Sequence, residues 1–570
     1  MHKGTIKLMN RGTQSGLAVA LALALVAPTV ILADDGRHGR GHGDDDAKAI
    51  EHVVVIYQEN VSFDHYFATY PNATNVDGIP FTPKAGTPIV NGLFYNGLLT
   101  TNPNSALPFR LSRAEAVTCD QDHDYDDEQK AFNNRAMNKF PEKVGVGGTC
   151  GGTLYTPSLV MGYYDGNVVT AMWHYAQNFA MSDNSFGTTF GPSTPGALNL
   201  IAGQTWGASL AADFYGNVGS PTGNVAGPSG NPSLYTAIGD PRPSPAFDNC
   251  TLPSNAPPPP GGTPKPRTYI GMSGHNVGDL LNEHHITWGW FQGGFRPAHV
   301  PTGASGLSNV PGATTEAAGA TTPMFPATGL CGSAHDGLAG WSFDYIPHHE
   351  PFQYYPQTAN PRHLPPSSPG KIGHGDQANH QYDLSDFWTA LDNGNLPAVS
   401  YVKAGAYQDG HPGYSDPIDE QIFLVDTINR LMMSREWEHM AIVIAYDDSD
   451  GWYDHEAGPV AGQSNTPYDF LLGTNCGGPL PVPGEKYEGR CGVGPRLPLL
   501  VISPWARQNY VDHTLTDQSS ILRFIEDNWD LGRLGNESTD EKAGSLWRMF
   551  DFDGHDRAPK LILNDATGAP

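Results

Sequence analysis

The 570-residue sequence predicts an α/β protein: a central, mostly parallel sheet with helices on both faces and long loop insertions. Three observations carry that expectation. Short apolar runs at 53–56, 398–402 and 440–446 have the unbroken hydrophobicity of strands buried on both faces. Segments with helical apolar spacing alternate with them, the pattern of parallel strands joined by crossover helices. Clusters of Asp, Glu, Asn and His follow directly on the runs, and open α/β sheets gather ligands beyond the carboxyl ends of their strands.

Taken in order, residues 1–33 read as a signal peptide. Lys3, Lys7 and Arg11 are basic, 17–25 is apolar, and Ile31-Leu32-Ala33 offers a cleavage site, with Ile31 bulkier than usual there. The run is short for a membrane span and is interrupted by Pro28. No later segment is long and apolar enough to cross a bilayer, so the expectation is a secreted or periplasmic protein without a stable membrane anchor. Residues 34–48 are polar and Gly-rich, a flexible leader.

The strand at 53–56 leads into Glu59 and Asn60, which are either oxygen ligands for a hard cation or a strand end with a helix cap. Residues 71–104 are loop-like. His123 precedes a helical pattern at 128–140 and either faces a cleft or caps the helix. A helix is expected at 168–180. The Gly191-Pro192-Ser193-Thr194-Pro195 turn precedes a short helix over 197–203 that Gly203 stops. Ser193 or Thr194 then sits at a helix N-terminus, where unpaired N–H groups and the helix dipole favour an anion. The alternative is an ordinary N-cap.

Residues 206–267 read as a Gly/Pro-rich surface insertion and 297–344 as a second one. Between them lie a helix at 277–283, loop residues His284 and His285, and a strand at 286–291. Pro347-His348-His349-Glu350-Pro351 is either a polar loop or the lining of a site. A helix at 382–391, the strand at 398–402 and the polar run Asp409-Gly410-His411-Pro412 follow. The helix at 420–433 leads to the strand at 440–446, which delivers Asp447-Asp448 and, a little later, Asp454-His455. A last strand at 497–503 and helix at 519–529 complete the alternation.

A formal charge of −27 and a pI near 5.0 argue against nucleic-acid binding, whose footprint is basic. Only 16% of residues are charged, with 67 Gly and 49 Pro, so the chain is globular and loop-rich. Six cysteines in an exported chain suit three disulfides. Their order suggests the local pairs 119–150, 250–331 and 476–491, among the fifteen connectivities that six cysteines allow. No Cys-x-x-Cys spacing points to a thiolate zinc site.

Glu59, Asn60, Asp447 and Asp448 together offer the oxygen ligands that one divalent cation takes, though the acid pair alone also suits a solvated turn. Ser193 completes a site in which the cation lowers the hydroxyl pKa and makes a nucleophile. His123, His348, His349 and His411 then contact the remaining substrate oxygens, and one protonates the leaving group. Several histidines, cationic at acid pH, suit the two charges of a phosphomonoester, whereas a diester needs fewer.

At these residues the sequence resembles the bacterial phosphoesterase family of AcpA-type acid phosphatases and phospholipases C, a branch of the alkaline phosphatase superfamily. Residues 59–67 resemble the family's E-N-R-S-F-D-H-Y-F. Residues 191–195 resemble its nucleophile segment, and 409–412, 446–448, 454–455, 494–498 and 503–505 its later motifs. The resemblance runs from about residue 50 to 529 and implies an alkaline-phosphatase-like fold over 49–570 as a single catalytic domain. It implies Ser193 as nucleophile and metal ligand with Glu59, Asn60, Asp447 and Asp448, and His123, His348, His349 and His411 around the phosphate pocket. The expected function is an acid phosphatase acting through a phosphoseryl intermediate. Residues 348–352 resemble the phosphatase branch, there is no twin-arginine signal, and no C-terminal β-domain is expected. A phospholipase C cleaving phosphatidylcholine-type lipids is the alternative, and a non-catalytic binding protein on the same fold a second. The sequence assigns neither the metal's identity nor the oligomeric state. Two positions depart from the family pattern: Val61 stands where Arg is usual, altering a local salt bridge, and Gly196 where Asn is common, removing a polar contact.

Overall fold

The computed structural model describes residues 49–211, 225–226, 234–240, 244–250, 268–296, 299–300, 314–315, 334–462, 464, 466–471, 476, 489–553 and 557–570. The signal peptide and leader expected over 1–48 lie outside them.

Eight strands form the central sheet: β1 (His52–Gln58), β2 (Ala180–Ser182), β3 (Trp288–Gln292), β4 (Gln381–Asp383), β5 (Val399–Lys403), β6 (Met440–Tyr446), β7 (Leu499–Ile502) and β8 (Tyr510–Asp512). Their spatial order is β4-β3-β5-β1-β6-β7-β2-β8. All neighbours are parallel except the two pairs made by β7, which runs antiparallel to β6 and β2. The mostly parallel α/β expectation is met. Residues 53–58 are buried without alternation, as a strand covered on both faces requires. Val54, Val55 and Ile56 expose nothing, each contributing roughly 1.5–3 kcal/mol of hydrophobic stabilisation.

The helices that matter for the site are α1 (Phe63–Phe67), α2 (Tyr125–Phe132), α3 (Thr170–Asn178), α4 (Ser193–Ala202), α5 (Val277–Glu283), α6 (Leu384–Asn393), α7 (Pro417–Met433) and α8 (Gln518–Trp529). The 128–140 pattern is not one helix. α2 stops at Phe132 because Asn133 takes a left-handed cap, and Asn134, Arg135 and Met137 also have positive φ. The 382–391 pattern splits into β4 and α6, with the Asp383 side chain accepting the Ser385 N–H as N-cap.

The larger correction concerns 206–267. This stretch is more than a surface loop: Trp206–Leu210, Val225–Ala226, Tyr235–Ala237 and Ser244–Pro245, joined by Tyr269–Met272, build a second, five-stranded sheet. Its strands are short and Gly/Pro-flanked, so no periodicity marks them. Of 297–344, a hairpin of Ala334–Gly337 and Gly340–Phe343 and a pairing of His299–Val300 with Thr314–Thr315 are described. Cys119–Cys150 and Cys476–Cys491 are bonded as expected. The third pair includes Cys331, outside the described residues. Among the described residues no helix is long and apolar enough to cross a membrane.

Candidate active site at three neighbouring strand ends

β1 pairs with β6 along its whole length, from His52↔Met440 to Gln58↔Tyr446, and with β5 from Val53↔Val399 to Ile56↔Val402. The three strands therefore end together and release Glu59-Asn60, Lys403 and Asp447-Asp448 at one place. Backbone bonds then lock the exits. Asp447 N–H donates to the Gln58 carbonyl at 3.2 Å, Val61 N–H to the Asp448 carbonyl at 2.9 Å, and Glu59 N–H to the Asp409 carbonyl at 2.8 Å. Asn60 turns with φ 37°, a conformation asparagine tolerates, and aims its N–H at Asp447 Oδ1, 3.4 Å away. Lys403 Nζ donates to Glu59 Oε1.

Ser193 is the first residue of α4, and its side chain does not cap the helix. Its Oγ lies 3.1 Å from Glu59 Oε2 and 3.2 Å from Asp448 Oδ2. One hydroxyl proton satisfies only one carboxylate at a time, so this crowding calls for positive charge. Two further buried oxygens, Asn60 Oδ1 and Asp447 Oδ2, have no hydrogen-bond partner among the described residues. Burial, compounded by neighbouring carboxylates, raises Asp409, Asp447 and Asp448 above the usual range. Buried oxygen donors facing too little positive charge fit a divalent cation.

The histidines come from three segments: loops at 123 and 411 and the 3₁₀ turn Pro347–His349. His349, buried, places Nδ1 3.0 Å from Glu59 Oε1. Burial, with His348, Lys403 and His411 nearby, holds its pKa well below the usual range. His348 packs edge-on against His349 and places Nε2 3.4 Å from Asp240 Oδ2. His123 is not the helix cap, which is Asp124; its Nε2 lies 3.5 Å from Asn60 Nδ2. Burial alone would lower His123, but Asp448, Asp450, Asp120 and Asp240 outweigh it and raise it well above the usual value. His411 lies 6.3 Å from His123 between ring centroids and stacks on Tyr414, and burial lowers it. Ligand atoms of Glu59, His349 and Asp409, and separately of Asp120, His123, His411 and Asp450, lie close enough to share a metal ion.

Of the sequence-derived residues, Glu59 and Asp448 meet Ser193 directly, Asn60 and Asp447 adjoin them in the chain, His349 reaches Glu59, His123 reaches Asn60, and His348 and His411 pack against His349 and near His123. Lys403, Asp409, Asp240, Glu128 and Asp450 were not foreseen as site residues. Asp409 was legible as a carboxylate past a strand end. Asp240 was not, because it belongs to the insertion, where it accepts the Thr194 N–H at 3.0 Å.

Other sequence signals prove to be scaffold. Asp454 and His455 bond neither Ser193 nor the acid pair. They meet Asp64 and the fully buried Arg496, whose guanidinium reaches Asp64 Oδ1 at 3.2 Å and Asp454 Oδ2 at 3.1 Å. His65 stacks on Trp452 at 3.8 Å, and burial pushes it down to about 3. Val61 is buried in the apolar core. Gly196 is a close-approach position: a Cβ there would lie 2.2 Å from the Asp447 carbonyl oxygen, so α4 abuts the acid pair's backbone and leaves no room for asparagine.

The phosphoesterase family model matches residues 50–532. A non-hemolytic phospholipase C of Pseudomonas aeruginosa is 31% identical over 31% of this chain and 26% of its own length. Another, of Burkholderia pseudomallei, is 28% identical over 53% of this chain and 41% of its own. Phospholipase C A of Mycobacterium tuberculosis is 24% identical over 89% of this chain and 77% of its own. The chain thus spans about a quarter to two fifths of the two non-hemolytic relatives. With the motif residues meeting at one end of the central sheet and the family match covering that sheet, the chain belongs to the phosphoesterase family.

Proposed function

We propose that the protein is an exported, metal-dependent hydrolase of phosphoric esters that cleaves a phospholipid headgroup, as a phospholipase C does. The observation that carries the hydrolase reading is Ser193 Oγ, poised at a helix N-terminus between Glu59 and Asp448 beside two unpartnered buried oxygens. The similarity to phospholipases C moves the preference from the acid phosphatase expected from the sequence to the lipid diester. Phosphomonoester hydrolysis is the second reading, favoured by four histidines, two of which meet Glu59 and Asn60 while the other two pack against or near them. Residues 49–570 act as one catalytic domain behind a cleaved signal over 1–33 and a leader over 34–48.

Glu59, Asn60, Asp447, Asp448 and Ser193 would hold one divalent cation, which supplies charge to stabilise the serine alkoxide and a phosphoryl oxygen. Ser193 passes its proton along the bond to Glu59 Oε2 and attacks phosphorus in line; the Oγ–P bond forms as the ester P–O bond breaks. His123, which the surrounding aspartates bias toward its charged form, protonates the departing oxygen, and His348, His349 and His411 contact the phosphoryl oxygens. At the start of α4 the Ser193 N–H is left for the phosphoryl charge, since the Thr194 N–H is held by Asp240 and Pro195 has none. Water, losing a proton to His123, then attacks phosphorus; the Oγ–P bond breaks as the new O–P bond forms, and Ser193 Oγ recovers its proton from Glu59.

The deciding experiment assays a chromogenic phosphomonoester against phosphatidylcholine, with divalent metal, from about pH 5 to 8 where histidine titrates. Faster phosphatidylcholine turnover is expected. Turnover of the monoester alone would establish the second reading, and turnover of neither would leave a binding protein on this fold.

A further inference from the structure

We propose that Glu128 is a positioning residue that sets the distance between Ser193 and the acid pair. The inference rests on the reading of Ser193 as nucleophile and adds to it a residue outside the metal and phosphate contacts.

Glu128 lies in α2 and is 2% exposed. Its Oε2 accepts the Gly191 N–H at 2.9 Å, and its Oε1 accepts the Ser449 hydroxyl at 2.8 Å. Gly191 is two residues before Ser193 and has φ 107°, backbone that favours glycine. Ser449 directly follows Asp447-Asp448, and its Oγ in turn accepts the Gly451 N–H at 3.1 Å. One buried carboxylate therefore joins the turn that presents the nucleophile to the loop that presents the carboxylates. Those two segments are more than 250 residues apart in sequence, yet Ser193 Oγ and Asp448 Oδ2 meet at 3.2 Å.

α2 is itself well anchored, as a spacer must be. Tyr125 donates its hydroxyl to Asp469 Oδ1 at 2.8 Å and accepts the Cys491 N–H at 2.8 Å. The Cys491 carbonyl accepts the Phe190 N–H at 2.9 Å, beside Gly191, and Cys491 is bonded to Cys476. Glu128 thus reaches the nucleophile turn from a helix pinned to the same braced segment. A buried carboxylate with one bond per oxygen to two different loops holds a separation, and outer partners of this kind typically alter metal affinity or activity by about 10–100-fold.

The test compares Glu128→Ala, Glu128→Gln and Ser449→Ala in the full chain. It reads kcat and KM, Mn²⁺ affinity by calorimetry, and hydrogen exchange at the Gly191 amide. Glu128→Ala is expected to lower kcat by about 10–100-fold while KM changes little, to weaken Mn²⁺ binding, and to speed Gly191 exchange with β1 and β6 still protected. Glu128→Gln keeps a carbonyl for Gly191 and an N–H₂ for Ser449 Oγ, so it should recover most of kcat. Ser449→Ala breaks one of the two ties and should lower kcat by about tenfold. Unchanged Gly191 exchange in Glu128→Ala overturns the proposal, as does faster exchange with kcat and Mn²⁺ affinity intact. If Glu128→Ala does not fold, Ser449→Ala with full kcat and Mn²⁺ affinity overturns it. If the wild type turns over no phosphoester, the reading of Ser193 fails. Weaker Mn²⁺ binding together with faster Gly191 exchange would then still support the spacer.

Discussion

The two sides of the site are built differently. The carboxylate side comes from three adjacent strand ends, and its residues inherit their positions from ladder register: Gln58↔Tyr446 in the β1–β6 pair places Glu59 beside Asp447. The histidine side comes from loops at 123 and 411 and a 3₁₀ turn at Pro347–His349, none in a strand, and is held by tethers. Asp240 holds His348, Gln121 O lies 2.9 Å from His123 Nδ1, and Pro412 O lies 2.6 Å from His411 Nδ1. A ladder places a residue through many cooperative bonds, whereas a tether does so through one or two. Substitutions on the first side should therefore abolish function or leave it alone, and substitutions on the second should grade it.

Ser193 joins the sides, and its loss should have the largest effect. Ser193→Ala should lower turnover by at least about 10³-fold with an unchanged circular dichroism spectrum and melting temperature. Residual turnover near wild type would break the comparison at its centre. Next, Asp447→Asn should weaken divalent-cation binding by more than about tenfold in calorimetry, and chelation of the wild type should abolish turnover reversibly. Asp240→Asn tests a tether. It should lower kcat by about tenfold and shift the pH profile, leaving cation affinity unchanged. Equal effects of Asp447→Asn and Asp240→Asn on cation affinity would erase the distinction.

The smallest effect concerns the support beneath the acid pair. Glu420 in α7 accepts the Tyr446 hydroxyl at 2.6 Å and the Tyr66 hydroxyl at 2.7 Å, and burial pushes its carboxyl from 4.5 up to about 7. Between those values the folded chain holds a proton the unfolded chain has released, so this group's contribution to stability falls as pH rises through that window. Glu420→Gln should flatten that part of the denaturation-midpoint profile against pH, and an unchanged slope would remove Glu420 as its source.

How far the chain could be read in advance follows the same division. The boundaries of β6 and α5 match expectation because continuous apolar runs and capped helical patterns are local signals. Ser193 at the start of α4 was legible from Gly-Pro before it and Gly203 after the apolar run, and Gly203 does take the left-handed cap. The three-residue strands β2, β4 and β8 were not, because so short a stretch carries no period, and the second sheet was hidden by the Gly- and Pro-rich sequence around it. Asp454-His455 looked like a functional pair and is a support for Arg496, because side-chain identity alone does not say which partner a residue meets.

By itself the sequence determined the α/β class, the strand ends that carry Glu59-Asn60 and Asp447-Asp448, and the turn that puts Ser193 at the start of a helix, since burial pattern and backbone punctuation act over a few residues. Tertiary structure alone decided that Lys403 meets Glu59, that Asp240 meets the start of α4, that Glu128 joins the Gly191 and Ser449 segments, that Gly196 is a contact with the Asp447 backbone, and that His349 is lowered while His123 is raised. These depend on which surfaces and charges meet across hundreds of residues, and no local pattern carries that information.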